Sequence, residues 1–198
     1  MNIEKTIENL EKRGFQVARF KTRQEAADYL VESIKGTTVG IGGSVTVEQL
    51  DVYDRLCENN TVFWQWRNHN PETIMSAAKA RVYITSANAV AETGEIINID
   101  GRGNRVASTL HDKDAVYIVI GTNKIEESFD AAMWRAKNVA APKNAQRLKK
   151  KTPCAVKGDK CYDCNSPERI CRGLVVLWKR MLGVSKIEVV IVEEDLGL

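Results

Sequence analysis

A chain of 198 residues with 43% hydrophobic and 28% charged residues is long enough to bury one sizeable core, and its composition excludes a disordered or fibrous protein. The net charge of +3 is uneven: the segment from Lys143 to Lys160 holds seven of the 29 basic residues but one of the 26 acidic ones, leaving a balance of −3 elsewhere. A nucleic-acid footprint spread over the surface is therefore not expected, and no aromatic residue interrupts those lysines to stack on bases.

The opening residues, MNIEKTIENLEKRG, lack the apolar run and cleavage site of an export signal. No window approaches the roughly 18 uninterrupted apolar residues of a membrane helix. The expected location is the cytoplasm, where clustered cysteines more often bind metal or carry redox chemistry than form disulfides.

In chain order, Ile3, Ile7 and Leu10 recur at helical spacing, and Gly14 stops a helix predicted over 2–13. FQVARF reads as a strand, and Thr22 with Glu25 makes a capping box for a second helix. TTVGIG is a short strand, after which Thr46 and Gln49 are placed to cap a helix running to about Cys57, itself expected in the core. TVFWQW reads as a strand whose Trp64 and Trp66 share a face, in the core or at a dimer contact. His69 falls in a turn before Pro71, which opens the next helix. RVYITS, EIINI and AVYIVIG are largely buried strands. Residues 126–150 read as helical with a break near Pro142, residues 167–181 as a helix, and IEVVIVEE as the last strand. Strands alternating with helices predict an α/β fold, a Rossmann-like layered sheet with helices on both faces. One domain over 1–198, with a cysteine-rich insertion at 152–172, is the simplest organisation.

Two stretches suggest a ligand. In VGIGGSVT a strand delivers Gly40, Gly42, Gly43 and Ser44 to the start of a helix, a geometry that suits phosphate, carboxylate or a CoA pyrophosphate. It lacks the lysine of a P-loop and the spaced glycines of a dinucleotide fingerprint, and a ligand-free tight turn explains it equally well. In ITSANAVAETGEIINIDGRGNR, Asn88, Glu92, Thr93, Gly94 and Glu95 follow a strand, on the edge where open α/β sheets bind ligands. Asp100, Gly101, Gly103, Asn104 and Arg105 form a second turn, with Arg105 the candidate for holding a carboxylate. Hairpin chemistry accounts for the glycines but less readily for Asn88, Glu92 and Arg105.

GFQVARFKTRQEAADYL, VGIGGSVTVEQL, ITSANAVAETGEIINIDGRGNRVAS and VYIVIGTNKI together resemble the lactate-utilisation (LUD) domain family over roughly residues 1–140. The resemblance implies a fold similar to the glucosamine-phosphate isomerase, ribose-phosphate isomerase and CoA-transferase superfamily. It also implies a role in lactate or related organic-acid metabolism, beside iron–sulfur redox partners. Asp51 stands where many relatives have glycine. By analogy with CoA transferases, Gly42, Gly43 and Ser44 would hold a phosphate or acyl-CoA, and Glu92 or Glu95 would act as nucleophile or base.

In CAVKGDKCYDCNSPERIC, Cys154, Cys161, Cys164 and Cys171 lie within 18 residues. The central CxxC can grip a metal from a turn and the flanking pair can complete four thiolate ligands. Zinc, an iron–sulfur cluster, a redox thiol pair and structural cysteines all remain open, because the spacing matches neither common ferredoxin run. The favoured reading is a LUD-type protein binding a small anionic metabolite, with a homodimer as a further expectation. Its rivals are an acyl-CoA or phosphosugar transferase, isomerase or hydrolase that uses a glutamate, and a metal- or redox-sensing module.

Overall fold

The computed structural model describes residues 1–68 and 70–198, so the turn expected at His69 lies outside the described residues. The first half of the chain runs α1 (Ile3–Lys12), β1 (Gln16–Phe20), α2 (Arg23–Ser33), β2 (Thr38–Ile41), α3 (Val45–Gln49), α4 (Tyr53–Cys57), β3 (Thr61–Trp64), α5 (Pro71–Lys79) and β4 (Val82–Ser86). The second half runs β5 (Ala89–Ala91), β6 (Ile96–Asp100), α6 (Asn104–Ala107), β7 (Lys113–Gly121), β8 (Ile125–Glu126), α7 (Phe129–Arg135), α8 (Ala141–Arg147), α9 (Pro153–Lys157), β9 (Gly173–Leu177) and β10 (Val184–Val192).

Six strands form a wholly parallel sheet in the order β1-β10-β7-β4-β2-β3. Parallel strands are buried on both faces, and the central ones show it by alternation. Tyr117 and Val119 of β7, with Val190 and Val192 of β10, pack toward Leu30 of α2 and Leu56 of α4. Val116, Ile118 and Ile120, with Ile187, Val189 and Ile191, face the other way, onto Leu10 of α1, Ala77 of α5 and a second sheet. That sheet has the order β8-β5-β6-β9, with β6 antiparallel to both neighbours and β5 parallel to β8. Its far side packs Ala89, Ala91 and Ile97 against Ala132 and Ala136 beside α7. The layering is Rossmann-like, and no helix among the described residues is long and apolar enough to cross a membrane.

The capping box is formed: Thr22 Oγ1 accepts from the Glu25 amide, and the Glu25 carboxylate accepts from the Thr22 amide. Several expectations need correction. The cap after β2 is Ser44, whose hydroxyl accepts from Val47 N at 3.2 Å, because Thr46 points inward to a buried polar cluster. The helix stops at Gln49 and restarts at Tyr53, with Asp51 between them in the left-handed region at φ 51°. That is a conformation glycine adopts without strain, in keeping with the glycine implied by resemblance. Cys57 is exposed rather than in the core, since Leu56 takes the inward position of α4. Pro142 does not break the helix: a π-helical stretch, Ala136–Ala140, joins α7 to α8 and closes with the Ala141 amide bonded to Ala136 O. It absorbs the missing proline N–H just upstream. The helix expected over 167–181 is instead irregular chain followed by β9, which pairs Leu174, Val175, Val176 and Leu177 with β6. Four consecutive branched residues fit a pleated edge better than a helix, and Gly173 ends any helical run before them.

Candidate functional site

β2, β3, β4 and β7 all end on the same edge of the parallel sheet, and the loops that leave β2, β3 and β4 border a cleft of about 720 Å³. Gly43, Asn88, Asp100, Gly101, Asn104 and Arg105 line it, together with Gln65 and Trp66 beyond β3 and Asn144 and Arg147 of α8. An inner recess of about 90 Å³ continues from it past Ser44 and Asn88 to Lys124.

The three glycines of the first turn have different reasons to be glycine. A Cβ on Gly40 would lie 2.2 Å from Ala77 O, so this position lets α5 close on β2. A Cβ on Gly42 would press on Arg105 Cγ at 3.1 Å and Tyr83 Oη at 3.1 Å. Of the three, only Gly43 borders the cleft, facing Trp66 Nε1 and Gln65 Nε2. α3 is five residues long, so the electrostatics here come mainly from side chains, not from a helix dipole.

Those side chains are basic. Lys124, in the turn after β7, is 4% exposed and donates to Thr46 Oγ1 at 2.7 Å, Ser86 Oγ at 2.9 Å and Ala87 O at 3.1 Å. Among the described residues no carboxylate reaches its ammonium within hydrogen-bond distance. Burial, reinforced by the like charges of Arg135 and Arg105, holds its pKa down to about 7. Arg135, also buried, donates to Asn123 O at 2.9 Å and Asn88 O at 2.5 Å, fixing the loops on both sides of the recess.

Arg105 is committed to the protein. Its guanidinium donates to Ser86 O at 3.0 Å, Ile99 O at 2.8 Å and the Asn98 side chain, and sits 3.4 Å from Asp100. It ties the end of β4 to β6 and supplies charge to the cleft wall rather than a spare hydrogen-bonding fork. Asp100 is likewise occupied, accepting from the amides of Arg102 and Gly103 at 2.9 Å each. Gly103 turns with φ 86°, and a Cβ on Gly101 would meet Ile170 O at 2.5 Å. The other cations are Arg147, whose guanidinium lies 4.9 Å above the Trp66 ring, and Arg102, Lys150, Arg169 and Arg172 around the mouth, of which Arg147, Arg169 and Arg172 also hydrogen-bond within the protein. Six basic side chains against Asp100 and Glu168 line the cleft, a field that concentrates anions. Gln65 adds a buried Oε1 with no donor among the described residues.

Glu92, Thr93, Gly94 and Glu95 are not among the cleft residues. Glu92 accepts from Asn2 N at 2.6 Å and Lys5 Nζ at 3.2 Å. Burial works against its charge, but the Asn2 amide and the Lys5 ammonium together bring its pKa below the ordinary carboxylate range. Arg13 binds Glu95 and donates to Thr93 O at 2.7 Å, and its side chain crosses Gly94 where a Cβ would clash at 2.7 Å. This quartet fastens α1 to the second sheet.

The four cysteines do meet. Cys154, Cys161, Cys164 and Cys171 line one small cavity together with Ala141, Pro142, Ala145, Ile170, Lys137 and Arg169. None is in a disulfide, and among the described residues no three His, Cys, Asp or Glu side chains stand where one metal ion would draw them. Cys171, Arg169, Ile170 and Ala141 line the main cleft as well.

Sequence reasoning found the glycine turn, Asn88, Arg105 and the cysteines but missed Lys124, Arg135 and Arg147. For Lys124 a signal existed: GTNKI places a lysine three residues after the end of a buried strand, at the ligand-binding edge of the sheet. Arg147 fell within the basic segment 143–160 without being singled out, and Arg135 carried no signal, lying within a stretch read only as helical.

No curated protein matches the chain. A crystal structure of a DUF162 family protein from Deinococcus radiodurans is similar in fold, with a TM-score of 0.55 at 14% identity over 96% of this chain and 95% of that one. The LUD domain family model matches residues 3–192. Covering nearly all of the two sheets and both cavities, that match shows that the chain belongs to the LUD domain family.

Proposed function

We propose that the cleft binds a small organic acid by its carboxylate, and that the protein serves lactate or related organic-acid metabolism beside iron–sulfur redox proteins. The observation that carries this reading is Lys124, a buried ammonium at the end of the recess with no carboxylate within hydrogen-bond distance among the described residues and with the like charges of Arg135 and Arg105 acting on it. A buried charge without a counter-ion is costly, and a bound carboxylate supplies one. The recess of about 90 Å³ equals roughly three waters at about 30 Å³ each and so favours an acid of a few carbons. Membership of the LUD domain family, which the resemblance ties to lactate or related organic-acid metabolism, supports the same reading.

The test is a calorimetric titration with D-lactate, L-lactate, pyruvate and longer 2-oxo acids, with inorganic phosphate and CoA as competitors. A short carboxylate should bind, and Lys124→Met should weaken it at least tenfold, about 1.4 kcal/mol. Undiminished binding by Lys124→Met, or binding of CoA or phosphate with no short acid, sinks the reading.

A further inference from the structure

Residues 158–172 carry no regular secondary structure, and a stretch of that length inside a compact domain is usually functional. Its backbone has no ladder to hold it, yet its shape is specified. Arg169 donates to Cys171 O at 2.8 Å and Cys164 O at 2.7 Å, and pairs with Asp163 at 3.0 Å. The Cys161 amide donates to Asn138 Oδ1 at 3.2 Å, which anchors the loop to the π-helical stretch. These contacts fix the course of the segment that carries the cysteines. Cys154 arrives from the first turn of α9, Cys161 and Cys164 from the loop, and Cys171 from just before β9, all four half-buried around one cavity whose other walls are largely apolar.

We propose that this cavity holds a four-iron, four-sulfide cluster ligated by Cys154, Cys161, Cys164 and Cys171. One observation favours a cluster over a single ion. A zinc ion requires all four sulfurs within about 2.3 Å of one point, and no three of them gather that closely around a single centre. A cubane holds its cysteine sulfurs on a larger tetrahedron around an inorganic core, which suits sulfurs that share a cavity without crowding one point. Asp163 N also donates to Cys161 Sγ at 3.3 Å, an amide-to-sulfur bond of the kind that sets cluster potentials. Binding releases four thiol protons to solvent, and the resulting cluster with four thiolates carries a charge of about −2 in its oxidised form. Lys137 and Arg169, both at the cavity wall, offset that charge.

The cluster would share a wall with the anion cleft, since Cys171, Arg169 and Ile170 line both. The proposal stands without the organic-acid reading, because its test requires no carboxylate.

The experiment is anaerobic purification of the full chain, with reconstitution by equal parts of ferrous and ferric iron and sulfide where needed, followed by desalting. Iron, sulfide and zinc are then assayed, with electron paramagnetic resonance after dithionite reduction. About four irons and four sulfides per chain, with a cubane signal on reduction, are expected. Cys161→Ser and Cys164→Ser should each lose more than half of the iron with far-ultraviolet circular dichroism unchanged, whereas Cys57→Ser, altering an exposed thiol on α4, should retain it. A colourless chain after reconstitution, one zinc per chain without sulfide, or full iron in both loop variants would each overturn the proposal. Because the first measurement is made on the unaltered protein, misfolding of a variant cannot hide the answer.

Discussion

Lys124 shows how one side chain links the fold to the site and to pH. It is sealed by Thr46 of α3 and by Ser86 and Ala87 at the end of β4. Its folded pKa of about 7 lies below the ordinary 10.5, so between those values the unfolded chain binds the proton that the folded chain has given up. Stability therefore rises as pH climbs from about 7 toward 10.5, and the burial cost is fully present below 7. Lys124→Met removes that dependence while leaving the hydroxyls of Thr46 and Ser86 short of a partner, a constant loss of about 1–3 kcal/mol. Thermal unfolding from pH 6 to pH 10 should show the variant gaining on the wild type at the acid end by roughly 2–5 kcal/mol relative to the alkaline end. Parallel curves would mean that Lys124 stays charged in the folded state at every pH. Neither the burial nor the company of two arginines could be read from the sequence, because both arise where distant loops converge.

Among the elements, α1 corrects an attractive assignment. Glu92 and Glu95 follow a strand at the expected edge and have the chemistry of a nucleophile, so an argument from spacing places them in the pocket. The short strand β5 carries the chain past the cleft before it reaches them, and three residues of AVA were too few to announce a strand. Glu92 then meets the start of α1, accepting from Asn2 and Lys5, while Arg13 at its end binds Glu95. Glu92→Gln should thus lower stability by about 1–3 kcal/mol, the cost of weakening a buried charged hydrogen bond, with carboxylate affinity in the cleft unchanged. Denaturant unfolding and the titration described above check both halves, and a loss of ligand binding in a variant of wild-type stability would return Glu92 to the site. The same scale explains what was legible. The helices opened by the Thr22 capping box and by Pro71 were readable, as were the strands of the parallel sheet, whereas α9 was not foreseen despite Pro153, and β5, β8 and the π-helical stretch are fixed by tertiary pairing. β9 was misread because Pro167 and the charges after it imitate a helix start, and its true partner, β6, lies more than 70 residues earlier.

Across the whole molecule, order is unevenly distributed, and the two cavities lie where it changes. β10, β7 and β4 have strand neighbours on both sides and packed faces above and below, so they should open only with global unfolding. α1 is held by apolar contacts and the Glu92 and Glu95 pairs, and residues 158–172 by the hydrogen bonds of Arg169 and Asn138. Native-state hydrogen exchange on the metal-free protein should accordingly rank the central strands slowest, α1 intermediate and the cysteine segment fastest. Loading iron and sulfide should slow the amides of residues 158–172 at least tenfold, about 1.4 kcal/mol of added local stability, while exchange in α1 stays constant. A carboxylate in the cleft should act elsewhere, slowing residues 86–88 and 122–124, whose loops close on Lys124. Slowing of the whole chain in equal measure by either ligand would mean that the cavities are coupled through global stability alone. Equal protection of 158–172 and β7 in the metal-free protein would mean that Arg169 already closes the segment, leaving the cysteines no structural need of a cluster.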